Sequence, residues 1–593
     1  MIVSTLSQLF ELVTTKYNKP NLLIYRGRDG AFHPISTNEF RDRVVYFALG
    51  LRELGVTEGQ RLLLLSENRP EWHITDFACH LLGVVMVPVF PTLIAEQVEY
   101  IINDSGAEVV VVSGDVQLQK IRQIRDRIEK VKHTIVVEAD EKTDDAVSFH
   151  SVVAGGRELD ETGFVARATS LAKPDMLATI IYTSGTTGVP KGVMLSHKNF
   201  VSNMLGCSSL LEMNPDDLGL SFLPISHSFE RTVDYVYFYR GVSIVYSANI
   251  EALAADIEEA RPTLMANVPR FYDKVKAGIE AAVERDGGIK KKFFYWALAT
   301  GRKAAAHRLE RSRPDFLLRI KHAVANRLVF GKIRQRMGGR IRYFISGGAP
   351  LSAEVGFFFE SVGLRILEGY GLTETSPVIA INPGELPRFG TVGKILQDVE
   401  VKIAEDGEVL VKGPNIMIGY YNMPAETEEV MSDGWFHTGD IGRLDAAGYL
   451  CITDRKKQII VTSVGKNIAP QAIEQTVERS KYVEQVLLVG DQRRFISALI
   501  VPDFAQLKMF AQQNGLSDVS PANLIREQAV LDLIQSELDG QQTGLSHYEQ
   551  IRRFSLLAEP FTIENGQLTP TMKVKRKVVL EKYADLIEAM YAS

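Results

Sequence analysis

Short apolar runs alternate with amphipathic segments along much of the chain. From Arg61 onward, the runs RLLLLS, VVMVPV and EVVVVS are each followed by a segment in which apolar residues recur at helical spacing. The alternation resumes at MLATIIYTS and continues through VSIVYS, TLMANVP and RIRYFISGG. Alternating strands and helices are typical of a parallel, doubly wound sheet. The pattern therefore predicts an α/β protein with two successive βα stacks.

The pattern of apolar runs and turn signals changes twice in the C-terminal third of the chain. Between Gly390 and Tyr449, short strands are separated by turn signals such as DG, which favour antiparallel sheet. After Asp454 the chain begins again with short strands and a helix from Pro470 to about Ser480. We predict a large N-terminal domain, residues 1–454, whose last part at about 390–454 is a small β-rich subdomain. A small α/β C-terminal domain, residues 455–593, follows.

Composition places the chain among ordinary globular proteins. Its 593 residues are 45% hydrophobic and 24% charged, enough for several domains with buried cores. The net charge of -6 offers no overall attraction to nucleic acid. Cys79, Cys207 and Cys451 form no C-x-x-C pair, which disfavours a disulfide framework and indicates a reducing, cytoplasmic compartment.

Neither the N-terminus nor the most hydrophobic run of the chain has the pattern of a membrane-crossing segment. The N-terminus lacks the basic start of a secretory signal and reaches Glu11 before a long apolar core develops. The most hydrophobic run, residues 81–95, is shorter than the roughly 20 residues of a membrane helix and contains two prolines. We predict that it is a buried strand with flanking turns.

Charge is distributed unevenly along the chain. Residues 290–342 carry sixteen Lys and Arg against two carboxylates, a net +14, which leaves -20 for the rest of the chain. Aromatic and aliphatic residues are interleaved with these cations. The stretch is either a pair of solvated helices packed on the large domain or a surface that docks reversibly on an anionic membrane.

Residues 182–192, YTSGTTGVPKG, form a loop rich in Gly, Ser and Thr that leaves a buried strand and ends near a lysine. Such a loop can offer backbone N–H groups and hydroxyls to phosphate oxygens, and the lysine adds positive charge. Pro190 stands where a Walker A loop requires its second glycine. A flexible surface turn is the alternative. The candidate phosphate-binding residues are Thr183, Ser184, Gly185, Thr186, Thr187, Gly188 and Lys191.

The loop resembles the phosphate-binding signature of the adenylate-forming superfamily of acyl-CoA synthetases, luciferases and nonribosomal adenylation domains. Four later segments resemble further motifs of that superfamily, in order: LEGYGLTETSP (367–377), GWFHTGD (434–440), DRKKQIIVTSVGKNIAP (454–470) and LTPTMKVKR (568–576). Within the superfamily, FLPISHSFER (222–231), residues 326–352 and the TPTMK ending are similar to long-chain fatty acyl-CoA synthetases.

The resemblance implies a reaction and its substrates. A long-chain fatty acid attacks the α-phosphate of ATP, with Mg²⁺ bound, to give acyl-AMP and pyrophosphate, and the thiol of coenzyme A then displaces AMP. It also implies that the C-terminal domain is mobile and reorients between the two steps, with Lys457 as the hinge. Oligomeric state and chain-length preference stay open.

The resemblance also assigns catalytic roles. Lys573 supplies the cation at the α-phosphate, and Glu374 with Thr183 holds Mg²⁺, for which oxygen ligands are suited. His227 lies near the fatty-acid carboxylate. The structural alternatives are a solvated basic tail for Lys573, a loop carboxylate or helix cap for Glu374, and a structural hydrogen-bond partner for His227.

Further residues are implied in the nucleotide site. The acceptor-only carboxylate of Asp440 suits two ribose hydroxyls, and Arg455 adds a donor nearby. Tyr370 offers a face to adenine, and Thr373 can bond the α-phosphate. Gly347, Gly348 and Ala349 allow the base to approach the backbone, and Glu368, Gly369 and Lys457 complete the predicted set. Turn residues, a surface cation and a core tyrosine are the structural alternatives.

Two positions depart from the family pattern. Arg231 stands where some relatives carry an aromatic gate to the acyl tunnel, and Lys466 where many have glutamate. Two other functions stay open: a fatty acyl-AMP ligase that delivers acyl groups to a carrier protein, and a catalytically silent protein that binds fatty acid or nucleotide. Retention of Lys573, Glu374 and Asp440 disfavours the silent protein.

Overall fold

The computed structural model describes residues 3–138, 145–159, 161–183, 189–247, 250–463, 466–516, 519–563, 565–569 and 573–592. The contacts within the chain divide it into two units. The larger unit comprises Met1–Lys402, Leu410–Thr438 and Leu444–Cys451, and the smaller comprises Ile403–Val409, Gly439–Arg443 and Ile452–Ser593. Two short segments of the smaller unit thus precede the predicted domain boundary at 454.

The larger unit begins with helices and strands for which the sequence made no prediction. These are α1 (Leu6–Lys16), β1 (Leu23–Arg26), β2 (Phe32–Ile35) and α2 (Thr37–Glu53). The first βα stack follows: β3 (Arg61–Leu65), α3 (Pro70–Leu82), β4 (Val85–Val89), α4 (Ala95–Ser105), β5 (Val109–Val112), α5 (Asp115–Gln123), β6 (His133–Val136), β7 (Val147–Ser148), α6 (Phe149–Leu159), α7 (Phe164–Leu171), β8 (Leu177–Thr183), β9 (Lys191–Ser196) and α8 (His197–Leu210).

The second stack continues to residue 371. Its elements are β10 (Leu218–Ser221), α9 (Ser228–Arg240), β11 (Ser243–Tyr246), α10 (Ile250–Ala260), β12 (Leu264–Asn267), α11 (Pro269–Asp286), α12 (Gly288–Leu309), α13 (Phe316–Ala325), α14 (Gly331–Arg336), β13 (Tyr343–Ser346), α15 (Ala353–Val362) and β14 (Arg365–Gly371). A π-helical turn, Asn326–Phe330, joins α13 to α14.

Short strands dominate from residue 378 to residue 455, as the turn signals predict. They are β15 (Val378–Ile381), β16 (Gly393–Ile395), β17 (Glu400–Ile403), β18 (Glu408–Lys412), β19 (Gly419–Tyr420), β20 (Met431–Ser432), β21 (Trp435–Leu444) and β22 (Tyr449–Arg455), with α16 (Pro424–Val430) among them.

The smaller unit has its own sheets and core. Its remaining elements are β23 (Ile460–Val461), β24 (Asn467–Ile468), α17 (Pro470–Val477), β25 (Val483–Val489), β26 (Ile496–Pro502), α18 (Phe504–Gln513), α19 (Pro521–Leu524), α20 (Gln528–Gln541), β27 (Ile551–Leu556), α21 (Arg576–Lys582) and α22 (Ala584–Tyr591). β26 pairs antiparallel with β25 and parallel with β27. The helix predicted from Pro470 is confirmed and ends at Val477.

The first sheet of the larger unit has the order β19-β9-β8-β4-β3-β5-β6-β7. The strands from β8 to β7 run parallel, whereas β9 and β19 are antiparallel additions at one edge. All five residues of β4 are buried, so the prediction that residues 81–95 contain a buried strand is confirmed. A strand covered on both faces requires such a continuous apolar run.

The second sheet of the larger unit includes the order β2-β1-β11-β10-β12-β13-β14-β15-β16. Its six central strands, β1 to β14 in this order, are parallel, and β2, β15 and β16 are antiparallel. The two predicted parallel stacks are therefore confirmed, with antiparallel edges that the alternation pattern did not indicate. Within the described part of the chain, no helix has the length and apolar character needed to cross a membrane.

Helices α2 and α6 approach each other backbone to backbone. A Cβ atom added at Gly156 would lie 1.8 Å from the carbonyl oxygen of Tyr46, and one at Gly50 would lie 2.0 Å from that of Val152. Beside this crossing, the rings of Phe47 and Phe149 stack with centroids 4.1 Å apart. Only glycine fits between the two backbones, so the crossing depends on these positions.

We expect Gly156→Ala to destabilise the larger unit by about 3 kcal/mol, since the backbone atoms it would meet cannot move aside cheaply. Gly155→Ala is the matched control, because its Cβ would meet only the Glu53 carboxylate, at 2.8 Å, on a flexible side chain. Removing a helical glycine there should be neutral or stabilising by up to about 1 kcal/mol. Thermal unfolding of the full chain compares the two. Equal melting temperatures for both variants would contradict the close crossing.

Candidate active site

The strands that flank the predicted phosphate loop form a hairpin. β8 ends at Thr183 and β9 begins at Lys191, and these two residues pair across the hairpin. The Thr183 hydroxyl donates to the carbonyl oxygen of Lys191 at 3.5 Å. Ser184, Gly185, Thr186, Thr187 and Gly188, to which the sequence assigned phosphate binding, lie outside the described residues. The described ends of the loop present a hydroxyl and an ammonium group together.

Tyr420 connects this hairpin to the predicted metal ligand. The ammonium nitrogen of Lys191 lies 4.9 Å from the centroid of the Tyr420 ring. The Tyr420 hydroxyl donates a hydrogen bond of 2.8 Å to Oε1 of Glu374. Burial and the charge of Glu374 raise the pKa of Tyr420, so its hydroxyl stays a donor. Lys191 and Glu374 thus both contact Tyr420, and Thr183 pairs with Lys191 across the hairpin.

The sequence reasoning missed Tyr420. It lies in β19, which pairs antiparallel with β9 and places Tyr420 opposite Val193. The adjacent glycine and tyrosines in GYYN read as a turn, and more than 200 residues separate Tyr420 from its strand partner. No signal short of this long-range pairing connects it to the phosphate loop.

Glu374 and Thr373 lie in a 3-10 turn, Thr373–Thr375, directly after β14. The carbonyl oxygen of Glu374 accepts a hydrogen bond of 2.9 Å from the Met417 N–H, which fixes the turn. The Ser228 hydroxyl donates to Oγ1 of Thr373 at 3.4 Å. The first residue of α9 is thus held beside the residue predicted to bond the α-phosphate.

His227 caps the N-terminus of α9. Its Nδ1 accepts a hydrogen bond of 3.0 Å from the Phe229 N–H, and its ring centroid lies 6.3 Å from that of Phe90. This is the structural role that the sequence left open as an alternative. The cap also places the imidazole next to Ser228, so a role near a bound carboxylate stays a prediction.

The glycine turn after β13 is tightly enclosed. A Cβ at Gly347 would lie 2.9 Å from the Phe229 ring, and Gly348 adopts a left-handed φ of +80°. Oε1 of Glu368 accepts a hydrogen bond of 2.9 Å from the Leu351 N–H and so ties this turn to β14. Burial raises the pKa of Glu368 to about 8. The side chain is therefore mostly neutral at pH 7.

Gly369 and Tyr370 follow Glu368 in β14. They pair with Ile381 and Ala380 of β15, beyond which the ladder shifts register at Gly371. The half-buried Tyr370 ring lies in the strand that leads directly into the Thr373–Thr375 turn. The strand and turn therefore bring Tyr370, predicted to face adenine, and Thr373, predicted to bond the α-phosphate, onto one continuous segment.

The smaller unit holds the predicted ribose residues in contact with each other. Asp440 is buried, and its Oδ1 lies 3.0 Å from Nε of the half-exposed Arg455. Lys456 forms ion pairs of 2.6 Å with Asp406 and 2.8 Å with Glu408. The Arg455 guanidinium orients the buried side chain of Asp440.

Lys573 and Lys457 lie elsewhere in the smaller unit. Lys573 is exposed at the end of a hairpin: its N–H donates to Oγ1 of Thr569 at 3.0 Å, and its carbonyl oxygen accepts from the Thr569 N–H at 2.8 Å. Residues 570–572 lie outside the described residues. Lys457 belongs to the short 3-10 turn Lys456–Gln458 that follows β22.

Arg231 is held rigidly in the core of the larger unit. Its guanidinium lies 2.5 Å from Oδ1 of Asp76 in α3 and donates to the Tyr235 hydroxyl at 2.9 Å and to Oγ1 of Thr179 in β8 at 3.0 Å. It also lies 5.0 Å from the centroid of Phe200. Both charged side chains are fully buried. Any movement of Arg231 would break this ion pair, so its position is structural.

Comparison with known proteins agrees with this architecture. Residues 14–421 match the family described as AMP-binding enzyme, and residues 457–593 match the AMP-binding enzyme C-terminal domain. The adenylation domain of a carboxylic acid reductase from Segniliparus rugosus, solved with AMP and a carboxylic acid, covers 99% of this chain and 94% of its own, with a TM-score of 0.78. At 22% identity this likeness establishes the fold alone.

Sequence relatives extend over nearly the whole chain. A long-chain-fatty-acid–CoA ligase of Mycobacterium tuberculosis, FadD15, is 36% identical over 96% of this chain and 95% of its own length. The peroxisomal long chain acyl-CoA synthetase 6 of Arabidopsis thaliana is 35% identical over 91% of this chain and 79% of its own. A large domain of two βα stacks, a separate α/β unit and both matched regions agree: the chain belongs to the family of AMP-binding enzymes.

Proposed function

We propose that this protein is an ATP-dependent long-chain fatty acid:CoA ligase. It would convert fatty acid, ATP and coenzyme A to acyl-CoA, AMP and pyrophosphate through an acyl-AMP intermediate. Lys191 and Glu374 both contact Tyr420, and Thr183 pairs with Lys191; this arrangement supports acyl adenylation, because it places a hydroxyl, a cation and a carboxylate near the ends of the phosphate loop. The full-length likeness to long-chain ligases supports the choice of substrates.

The donor set around Tyr420 fits Mg²⁺. A carboxylate and a hydroxyl supply hard oxygen ligands, and Tyr420 occupies only Oε1 of Glu374 among the described contacts. Bound at Glu374 and Thr183, the metal would neutralise charge on the departing pyrophosphate. Lys191 would then bind the phosphates electrostatically, since its ammonium group stands at the loop.

Two carboxyl groups have opposite proposed roles toward the nucleotide. Glu368, neutral at pH 7, adds little repulsion beside the glycine turn proposed to face adenine. In the smaller unit, the carboxylate of Asp440, oriented by Arg455, is the proposed acceptor for the ribose hydroxyls. Glu368 is neutral because it is buried, whereas Asp440 lies beside the guanidinium of Arg455.

Lys573 is the proposed cation at the α-phosphate during adenylation. An exposed lysine on a hairpin can enter and leave a site as the C-terminal unit reorients about the turn at Lys457. A cytoplasmic location remains a prediction from the cysteine pattern. Product analysis with and without coenzyme A distinguishes the ligase from a fatty acyl-AMP ligase, which would stop at the adenylate.

We expect Lys573→Ala to lower the rate of acyl-AMP formation by at least roughly 10²-fold, because charge at the α-phosphate would lose its counterion. Conversion of supplied acyl-AMP to acyl-CoA should be nearly unchanged. Pyrophosphate release and thioester formation are measured separately. Lys577→Ala, which removes an exposed lysine four residues away, is the control and should leave both steps intact. Equal damage to both steps by Lys573→Ala would refute the assignment.

Tyr420→Phe should raise the Mg²⁺ concentration for half-maximal pyrophosphate release roughly tenfold, since a hydrogen bond to a charged group contributes about 1.5–3 kcal/mol. The phenyl ring keeps the packing against Lys191, so only the orientation of Glu374 is lost. Tyr421→Phe is the matched control. A Mg²⁺ titration at fixed ATP makes the comparison, and similar curves for the two variants would exclude a positioning role for Tyr420.

Glu368→Gln should stabilise the protein increasingly as pH rises. The folded pKa of about 8 lies above the ordinary value of 4.5, so the unfolded chain ionises first and the native state loses stability between these pH values. The variant lacks this loss, which is on the order of a few kcal/mol at pH 8. Its melting temperature should match the parent near pH 5 and exceed it near pH 8. For Glu428→Gln, at an exposed position, the difference in melting temperature from the parent should not change with pH. The same pH-independent difference for Glu368→Gln would contradict the raised pKa.

A further inference from the structure

Helix α13 and the π-helical turn after it expose an apolar face to solvent. Five large side chains form this α13 stripe, with exposed fractions of 75% for Phe316, 59% for Leu317, 46% for Ile320, 41% for Val324 and 50% for Leu328. Their spacing places them within about one third of the helical circumference. Leu318 and Ala325, on the other side of the helix, are buried in the protein. The helix is therefore apolar on both faces, and none of the described residues covers the exposed one.

Uncompensated cations border the α13 stripe. Arg313, Arg319, Lys321 and Arg327 are exposed, and among the residues that the structure describes no carboxylate lies within 4.0 Å of any of them. At the other end of the basic stretch, by contrast, Lys290 pairs with Asp286 at 3.2 Å and Lys291 with Glu284 at 2.6 Å. Unpaired positive charge is thus present beside the α13 stripe, and other exposed cations of residues 290–342, such as Lys292 and Arg302, also have no carboxylate within 4.0 Å among the described residues.

Apolar and cationic groups together restrict the partner. Exposed apolar patches of this kind mark interaction sites, because water contact with aliphatic and aromatic carbon is unfavourable. A nucleic acid backbone would satisfy the cations and leave the α13 stripe in water. An anionic bilayer satisfies both, since a helix lying in the interface buries its apolar face among acyl chains while cations meet lipid phosphates.

We propose that the α13 stripe is a reversible docking surface for an anionic lipid bilayer. Residues 290–342 carry +14 and the rest of the chain carries -20. An anionic surface therefore attracts the exposed cations beside the α13 stripe, whereas the net charge of the remaining chain does not favour binding to it. Docking would bring the enzyme to fatty acid that has partitioned into the bilayer, and this consequence rests on the proposed function. The docking itself does not depend on that function.

Vesicle cosedimentation of the full chain, without ATP, coenzyme A or fatty acid, tests the docking. We expect binding to vesicles of equal parts phosphatidylglycerol and phosphatidylcholine in about 50 mM salt, weakened at least roughly tenfold in about 500 mM salt by screening. Phosphatidylcholine vesicles should bind far less protein. Phe316→Ser with Leu317→Ser should lower the affinity at least roughly tenfold, because the lost apolar burial is large.

A second pair of substitutions separates charge from apolar contact. Arg319→Gln with Lys321→Gln should lower affinity for the anionic vesicles roughly 25-fold, since each cation near the surface contributes about fivefold. The matched controls are Val116→Ser with Leu171→Ser, both 73% exposed outside α13, and Lys130→Gln with Lys173→Gln, also exposed. Both control pairs should bind as the parent does. Unchanged melting temperatures and turnover of detergent-dispersed fatty acid show that the variants are folded.

Three outcomes would overturn the proposal. The parent could fail to bind anionic vesicles, or the α13 variants could bind as well as their controls. Light scattering could instead detect a dimer that Phe316→Ser with Leu317→Ser converts to monomer, in which case a second copy covers the stripe. Because no substrate is present, each of these failures leaves the proposed ligase activity untouched, and loss of that activity would not bear on vesicle binding.

Discussion

The buried ion pair between Asp76 and Arg231 is the contact on which the arrangement of the larger unit depends. It joins α3 of the first stack to α9 of the second, and Arg231 also binds Thr179 in the strand that leads to the phosphate loop. Removing one partner of such a pair would leave an uncompensated buried charge, at a cost of about 3–5 kcal/mol. The contacts of Arg231 thereby fix the position of α9 relative to β8 and α3.

Three ionisable groups in the polar core around this pair, Glu230, Asp234 and His73, are shifted towards their neutral forms. Burial raises the pKa of Glu230 and Asp234 well above their ordinary values and lowers that of His73 to about 3. Burial alone would also raise the pKa of Asp76, yet the charge of Arg231 holds it low. A low-dielectric interior tolerates the charges of Asp76 and Arg231 because they are paired, and it disfavours the charged forms of Glu230, Asp234 and His73.

This rigidity has a functional consequence for the candidate site. Ser228, at the start of α9, donates to Thr373, so the α9 register also sets the position of the turn that carries Glu374. Tyr420 then links Glu374 to the hairpin of the loop. The groups of the larger unit that we propose to face phosphate are therefore placed by a connected set of contacts, which would lower the ordering that substrate binding requires. The proposed docking surface on α13 uses none of these residues.

Sequence alone determined the features that short segments encode. Apolar runs such as the one in β4 identify buried strands because burial on both faces leaves no polar position, and the ordered motifs identify the family because they lie in continuous segments. The charge of residues 290–342 is likewise visible as a count. The sequence does not show which of those cations stay unpaired, since pairing depends on neighbours from other elements.

The tertiary structure decided whatever depends on residues distant along the chain. β1 lies beside β11, with Leu23 opposite Ile244, and nothing within either segment specifies the other. Tyr420 joins the site only through its pairing with β9, and Arg231, a departure at a gate position in the sequence, becomes intelligible once Asp76 is found beside it. Local patterns encode the type of each element and its burial. Which strands pair and which side chains contact each other depends on the packing of the whole chain, because steric fit and charge compensation must be satisfied together.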